Sequence, residues 1–255
     1  MSRLGMADMG VATLNDMHAN ASMIASLSPN TPLIADADTG YGGAIQVGRT
    51  VTSYIRAGVA GLHLEDQVVS KRCGHLAGKQ VVEREEFVSR IRAAVLARKR
   101  SGGDVVIIAR TDALQGKGYD EAIERLRAAV KVGADVAFLE GVTSRKEADQ
   151  AVKDLSPTPC LFNSVPGGVS PDFSTREAKE IGYRIAIFPT VALEAVYTAV
   201  RRGMRGLLDE GVVKGDERGK DGEERVGVHG LFEMCGLKEA MDFDREAGGG
   251  AYDEV

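Results

Sequence analysis

Six short apolar runs, each followed by an amphipathic stretch, fill the chain between Pro32 and Leu208 and leave few folds open to it. The runs are Leu33–Asp38, Val59–Asp66, Val105–Asp112, Val136–Glu140, Cys160–Asn163 and Ile185–Pro189. Val, Ile, Leu and Ala occupy them almost without interruption, as in parallel strands covered on both faces. Helical patterns separate them, over Gln46–Ala57, Glu85–Arg100, Tyr119–Val132, Arg145–Leu155, Ser174–Gly182 and Leu193–Leu208. Tyr119–Val132 opens on acidic residues and stops at Gly133, a matched start and end. Such repetition builds right-handed parallel β/α units. The count of six leaves both a doubly wound open sheet and an eight-stranded barrel open.

The ends of the runs tip the balance toward the barrel. Asp36 and Asp38, then His63, Glu65 and Asp66, Arg110 and Asp112, Glu140, Asn163, and Pro189-Thr190 stand at successive carboxyl ends. In a β/α barrel those ends share the face that carries the active site. One polar strand end is ordinary loop chemistry; five in succession imply a shared site. Asp36 and Asp38, two apart on a strand, are expected to point the same way. With Glu65 they form a hard oxygen set that repels itself unless neutralised. Magnesium, with manganese as the alternative, suits such a set; pairing with arginine or capping of helices is the competing explanation. The stretch 65–75 then enters a loop carrying Lys71, Arg72, Cys73 and His75. Cations beside a thiol favour the thiolate. A reactive cysteine and a solvated basic loop with an incidental cysteine both fit these residues.

Composition narrows the partners. A length of 255 residues suits one large α/β domain or two small ones, and 44% hydrophobic with 27% charged residues supports a sizeable core. The net charge of −5 provides no basic footprint for nucleic acid or an anionic membrane. Cys73, Cys160 and Cys235 are scattered and odd in number, so no disulfide framework is expected and a reducing compartment is. With no signal-peptide pattern and no membrane-length apolar run, a cytoplasmic location follows as the expectation. Gly167-Gly168 lacks the spacing of a dinucleotide loop, and His18 and His229 lack ligand spacing. The expected organisation is a β/α barrel domain over 1–210, a flexible loop over 211–229, a C-terminal helix within 230–245 (Leu231–Phe243) and a disordered tail over 246–255.

The run Asp36-Ala37-Asp38-Thr39-Gly40-Tyr41-Gly42, followed by Glu65-Asp66-Gln67, Lys71-Arg72-Cys73-Gly74-His75, Arg110-Thr111-Asp112-Ala113 and Glu140, resembles the isocitrate lyase/phosphoenolpyruvate mutase superfamily. The resemblance extends from about Arg3 to Leu208 and is nearest to 2-methylisocitrate lyases, 2,3-dimethylmalate and alkylmalate lyases, and oxaloacetate hydrolases. It implies a (β/α)8 TIM-type barrel binding Mg2+, with Asp36 on the metal and Asp38, Glu65 and Asp8 holding its waters. It implies that Arg110 grips a substrate carboxylate while Glu140, Asn163, Ser164, Gly74 and His75 line the pocket. Cys73 would protonate a carbanion as general acid, with Lys71, Arg72 and His75 tuning the thiol and closing the loop. The implied reaction cleaves a carbon–carbon bond in a 2-hydroxy dicarboxylate, giving a 2-oxo acid and a carboxylate. Oxaloacetate hydrolysis to oxalate and acetate is one alternative, and a non-catalytic relative is another. The Lys-Arg-Cys-Gly-His loop is typical of the carbon–carbon cleaving branch, which ranks phosphorus chemistry lower. Relatives exchange their last helices, so a homo-oligomer (dimer or tetramer) with a swapped C-terminal helix is expected.

Three departures from that pattern stand out. Six strands are present where the family barrel has eight; the chain begins just after the family's second strand. A barrel lacking its first two strands would also lack a Ser-Gly-rich carboxylate-binding loop and would expose two parallel edges. Pro166 stands where many relatives carry Glu, which removes a partner for His75. Glu194 stands where 2-methylisocitrate lyases tend to carry a carboxylate-binding Arg, which favours a smaller malate-like or oxaloacetate-like substrate.

Overall fold

Alternate residues of a strand face opposite sides of its sheet, and runs that are apolar throughout therefore need a core on each side. The computed structural model describes residues 3–28, 30–212 and 226–252. Strands β1 (Ile34–Asp36), β2 (Gly61–Glu65), β3 (Val106–Thr111), β4 (Val136–Leu139), β5 (Cys160–Asn163) and β6 (Ile185–Ile187) pair in that order, all in parallel. Helices α2 (Ala44–Arg56), α3 (Arg84–Ser101), α5 (Tyr119–Lys131), α6 (Arg145–Leu155) and α7 (Thr175–Ile181) connect successive strands, with the single turn α4 (Leu114–Lys117) preceding α5. The six strands curl into a half-barrel of TIM type.

One core lies between sheet and helices, where Leu62, Leu64, Ile107, Ala109 and Phe162 belong to the same cluster as Val47, Phe87, Ile91 and Leu126. The second is a floor of Ile108, Val136, Phe138 and Leu161 on the other face, edged by Ile34, Val106, Ile185 and Ile187. Asp36, Glu65, Arg110, Glu140 and Asn163 follow with the same parity toward the carboxyl ends. That face thus has an apolar floor and a charged rim. Register sets the rim's neighbours: Asp36 lies beside His63, and Glu65 beside Arg110.

A helix absent from the expectations, α1 (Leu14–Leu27), precedes β1. Thr13 caps it: its hydroxyl accepts from the Asp16 N–H, and the Asp16 carboxylate accepts from the Thr13 N–H at 2.9 Å. The Thr-x-x-Asp signal was present in the sequence. Only Leu14 and Ala21 of this helix are buried, so its apolar period is faint.

Asp66 stitches β2, β3 and α5 together. Fully buried, it accepts from the Asp112 N–H (2.8 Å), the Thr111 hydroxyl (2.5 Å) and Arg125 Nη1 (3.0 Å). Removing one partner of a buried ion pair strands the other, at about 3 kcal/mol or more. Asp66→Ala is therefore expected to lower the unfolding free energy by about 3 kcal/mol in a urea titration; a loss below about 1 kcal/mol would contradict this reading.

The chain divides into two compact units, Met1–Leu193 and Glu194–Val255. The second contains nearly all of α8 (Leu193–Glu210), then α9 (Val228–Met234) and α10 (Leu237–Glu246). Two helices thus replace the one expected over Leu231–Phe243. Gly236, left-handed at φ 83°, separates them, a conformation that stops a helix and suits glycine. Most of the expected flexible loop, 213–225, and the tail residues 253–255 lie outside the described residues. Among the described residues no helix is long and apolar enough to cross a membrane.

Candidate active site

β1 ends at Asp36, so strand periodicity does not bring Asp36 and Asp38 together; a turn does. Asp38 has a left-handed backbone (φ 46°), its N–H donates to Asp36 Oδ1 at 2.7 Å, and its carbonyl accepts from the Glu65 N–H at 2.9 Å. Aspartate tolerates this conformation because its short side chain can bond nearby backbone. Burial, and then the neighbouring Asp36 charge, push the Asp38 carboxyl up to about 6. Lys71 Nζ acts against them, 2.7 Å from Asp38 and 2.8 Å from Asp8. Burial also works on Asp36, but His63, Lys71 and Arg110 outweigh it and hold that carboxyl below its ordinary value.

Glu65 carries the most telling pair of atoms. It is 1% exposed, and neither carboxylate oxygen has a hydrogen-bond partner. Arg110 Nε stands 3.3 Å from Oε2, yet burial drives the carboxyl well above its ordinary range. Buried polar atoms without partners are costly, and a hard cation with bound water would satisfy these two. Among the described residues, no three His, Cys, Asp or Glu side chains converge closely enough to hold an ion alone. By their chemistry, the orphaned oxygens of Glu65 together with Asp36, Asp38 and Asp8 suit a hard cation that keeps much of its water.

That fit has a pH signature. The folded chain holds the Asp38 proton more tightly than the unfolded chain does, about 6 against 3.8. A ligand that needs the carboxylate is therefore opposed below that pH. Mg2+ affinity, measured by calorimetry, should climb as pH rises through about 6 and level off above it. Asp38→Asn should flatten the climb, and a pH-independent wild-type affinity would contradict the assignment.

Arg110 is more heavily engaged than the sequence suggests. Nε and Nη2 donate to the two oxygens of Asp112 at 2.9 and 3.2 Å, Nη2 lies 3.2 Å from Glu140 Oε2, and the guanidinium stands 5.1 Å from the Phe138 ring centroid. This bidentate pairing fixes the guanidinium plane. Among the described residues Nη1 has no partner, whereas Nε and Nη2 are both engaged. Glu140 is 1% exposed and accepts from Asn163 Nδ2 at 3.1 Å.

The 67–81 loop covers the Arg110 end of the rim. Its base is a short ladder, with a Gln67–Val81 bridge and Val68 N–H donating to the Gln80 carbonyl. The Gln67 side chain also grips the Arg72 backbone from both sides, Nε2 to the carbonyl (2.8 Å) and Oε1 from the N–H (3.1 Å). At the apex, the Cys73 N–H donates to the Asp8 carbonyl at 3.0 Å. Gly74 lies directly on the site: a Cβ there would stand 2.5 Å from Arg110 Nη2 and 2.8 Å from Glu140 Cγ. His75 Nδ1 accepts from the Val169 N–H at 3.2 Å, while Nε2 lies 3.4 Å from Asn163 Nδ2 and 3.9 Å from Glu140 Oε1. Backbone thus provides the partner whose loss Pro166 had suggested.

Cys73 and Ser164 meet surroundings that the sequence does not show. Flanking cations were expected to favour a thiolate at Cys73, but the half-buried thiol is held above its ordinary value. Burial dominates, and Asp8 adds to it; Lys71 is engaged by Asp8 and Asp38, and Arg72 points to the Ala77 carbonyl at 3.1 Å. Ser164, expected in the pocket lining, follows β5 and donates its N–H to the Ile187 carbonyl at 2.9 Å. Two loop residues escaped the sequence reading. Gln67 continues the parity of His63 and Glu65, a usable signal. Lys79 meets a backbone carbonyl and a residue 33 positions away, which no local pattern reveals. A cleft of about 370 Å³, walled by Thr13, Asn15, Gln46 and Arg49, opens against Asp38, whereas Gly74 and His75 cover the Arg110–Glu140 end.

The phosphoenolpyruvate phosphomutase family profile matches residues 2–208. The chain belongs to that family. Within the phosphoenolpyruvate mutase/isocitrate lyase superfamily, it is 43% identical to the 2,3-dimethylmalate lyase of Eubacterium barkeri over 75% of this chain and 65% of that protein. It is 42% identical to the 2-methylisocitrate lyase of Escherichia coli (strain K12) over 83% of this chain and 70% of that protein. The chain thus spans about two thirds of these family members. A structure of oxaloacetate acetylhydrolase with the inhibitor 3,3-difluorooxalacetate superimposes with a TM-score of 0.91 at 54% identity, covering 98% of this chain and 82% of that one. A phosphonopyruvate hydrolase structure with oxalate and Mg2+ matches at 0.79 and 26% identity, covering 96% and 82%.

Proposed function

We propose that this family member is a Mg2+-dependent carbon–carbon lyase that cleaves a 2-hydroxy dicarboxylate of the alkylmalate type into a 2-oxo acid and a carboxylate. The observation that carries this reading is the loop bearing Cys73, whose Gly74 is seated directly on the Arg110–Glu140 pair. Cleavage leaves an electron pair on the carbon next to a carboxylate, and a neutral thiol is the acid that can quench it. Arg110 Nη1 binds and orients a substrate carboxylate, while Asp112 and Glu140 hold the guanidinium plane. His75, Gly74 and the Asn163 amide close the pocket and exclude water from the charged intermediate. Asp36 would hold Mg2+, with Asp38, Glu65 and Asp8 on its waters, and the bound ion would supply positive charge for the oxygen on which charge develops.

Glu194, where 2-methylisocitrate lyases tend to carry Arg, supports a malate-sized substrate over a tricarboxylate. Oxaloacetate hydrolysis is the second reading, favoured by the similarity to oxaloacetate acetylhydrolase. Exposed Leu231, Phe232, Met234 and Phe243 on α9 and α10 support a homo-oligomer built through the terminal helices, and three free cysteines suit a cytoplasmic setting. The test offers 2,3-dimethylmalate, other alkylmalates, 2-methylisocitrate and oxaloacetate with Mg2+, with and without EDTA. The expected outcome is EDTA-sensitive formation of a 2-oxo acid, with kcat/KM higher on an alkylmalate than on 2-methylisocitrate. Oxalate from oxaloacetate without cleavage of any 2-hydroxy acid would establish the hydrolase instead.

A further inference from the structure

The loop that carries Cys73 also carries a buried charge that the proposed chemistry leaves unused. The Lys79 side chain is 3% exposed, and its Nζ donates to the Gly74 carbonyl at 2.6 Å and to Asp112 Oδ1 at 3.0 Å. A lysine is seldom so buried unless paired. These two partners belong to different parts of the site. The Gly74 carbonyl is at the loop apex, next to Cys73; Asp112 is the carboxylate that orients the Arg110 guanidinium.

We infer that Lys79 is a positioning residue, an internal latch that holds the loop apex down on Asp112 and so fixes Cys73 relative to Arg110. Its kinetic consequence rests on the lyase reading; its structural consequence does not. The base of the loop is already closed without it, by the Gln67–Val81 bridge and the Gln67 grip on Arg72. Lys79 follows Gly78 on the descending limb and reaches back across the loop, so its bonds close the apex and not the base. Charge gives it a second effect. Glu65, Asp112 and Glu140 all approach the single guanidinium of Arg110. By neutralising part of Asp112, Lys79 keeps Arg110 from being wholly engaged by its own carboxylates and leaves it able to attract a substrate's.

The test uses Lys79→Ala and Lys79→Met in the full chain, with two readouts. In kinetics, kcat should fall ~10²-fold, as expected when a reacting group is misplaced by about 1 Å, and KM should rise as well. Propylammonium, which can enter the space vacated in Lys79→Ala, should restore part of the rate, whereas neutral propanol should not. In limited proteolysis without any ligand, tryptic cleavage after exposed Arg72 should be slower in the wild type than in either variant. Lys79→Met keeps the bulk of the stem, so it remains informative if Lys79→Ala unfolds. Wild-type kinetics and wild-type protection in a variant would overturn the latch. So would a collapse of melting temperature in both variants, which would make the lysine a structural ion pair. If the wild type turns over none of the offered acids, the lyase reading fails, and the tryptic protection still decides the latch.

Discussion

Cys73→Ser is expected to lower turnover of a 2-hydroxy dicarboxylate by ~10²–10⁴-fold, the range of a lost general acid. The substitution is nearly isosteric, and the Cys73 N–H to Asp8 carbonyl bond does not depend on the side chain. Loop geometry and Mg2+ affinity should therefore survive, and only the proton donor is lost. A serine hydroxyl is far less acidic than a thiol, even one held above its ordinary value by burial. Steady-state kinetics beside Mg2+ calorimetry separates the two effects. Turnover within a few fold of wild type would show that the cysteine is a packing residue.

Gly74→Ala attacks the same site by shape alone. Its φ is unrestricted, so the cost is steric: the new methyl carbon would stand 2.5 Å from Arg110 Nη2, 2.8 Å from Glu140 Cγ and 2.9 Å from Glu140 Cδ. Arg110 cannot yield easily, because Asp112 fixes its plane and Phe138 lies against it. The loop must therefore lift, carrying Cys73 and His75 away from the rim. A displacement of about 1 Å costs ~10²-fold in rate, and kcat should fall by about that factor. The core behind the sheet does not involve Gly74, so the melting temperature should hold. Equal activity in Gly74→Ala would mean that the loop does not close on Arg110 during turnover.

The sequence revealed the strands and much of the rim because both follow from parity and apolar runs, which are local, whereas the order of the strands in the sheet is set by nonlocal pairing. Most residues proposed at the rim end a strand or lie in the 65–75 stretch; Asp8 and Asp38 do neither. Details set by nonlocal contact were harder to read. Asp38 reaches its place through a left-handed turn, which the Asp-Ala-Asp spacing mimics as a strand. The Cys73 thiol depends on what Lys71 meets, and Asp8 and Asp38 are supplied from other segments. Lys79 binds a backbone carbonyl, which has no sequence signature at all. The faint α1 was marked only by its Thr13–Asp16 cap, and the split between α9 and α10 by one glycine, Gly236.

The most direct test of the central claim follows 2,3-dimethylmalate by NMR in D2O with Mg2+ present. Bond cleavage with protonation from the exchanged Cys73 thiol predicts pyruvate and propionate in equal amounts, the propionate carrying one deuterium at the carbon that bore the broken bond. Substrate left intact, while oxaloacetate under the same conditions yields oxalate and acetate, would contradict the lyase assignment.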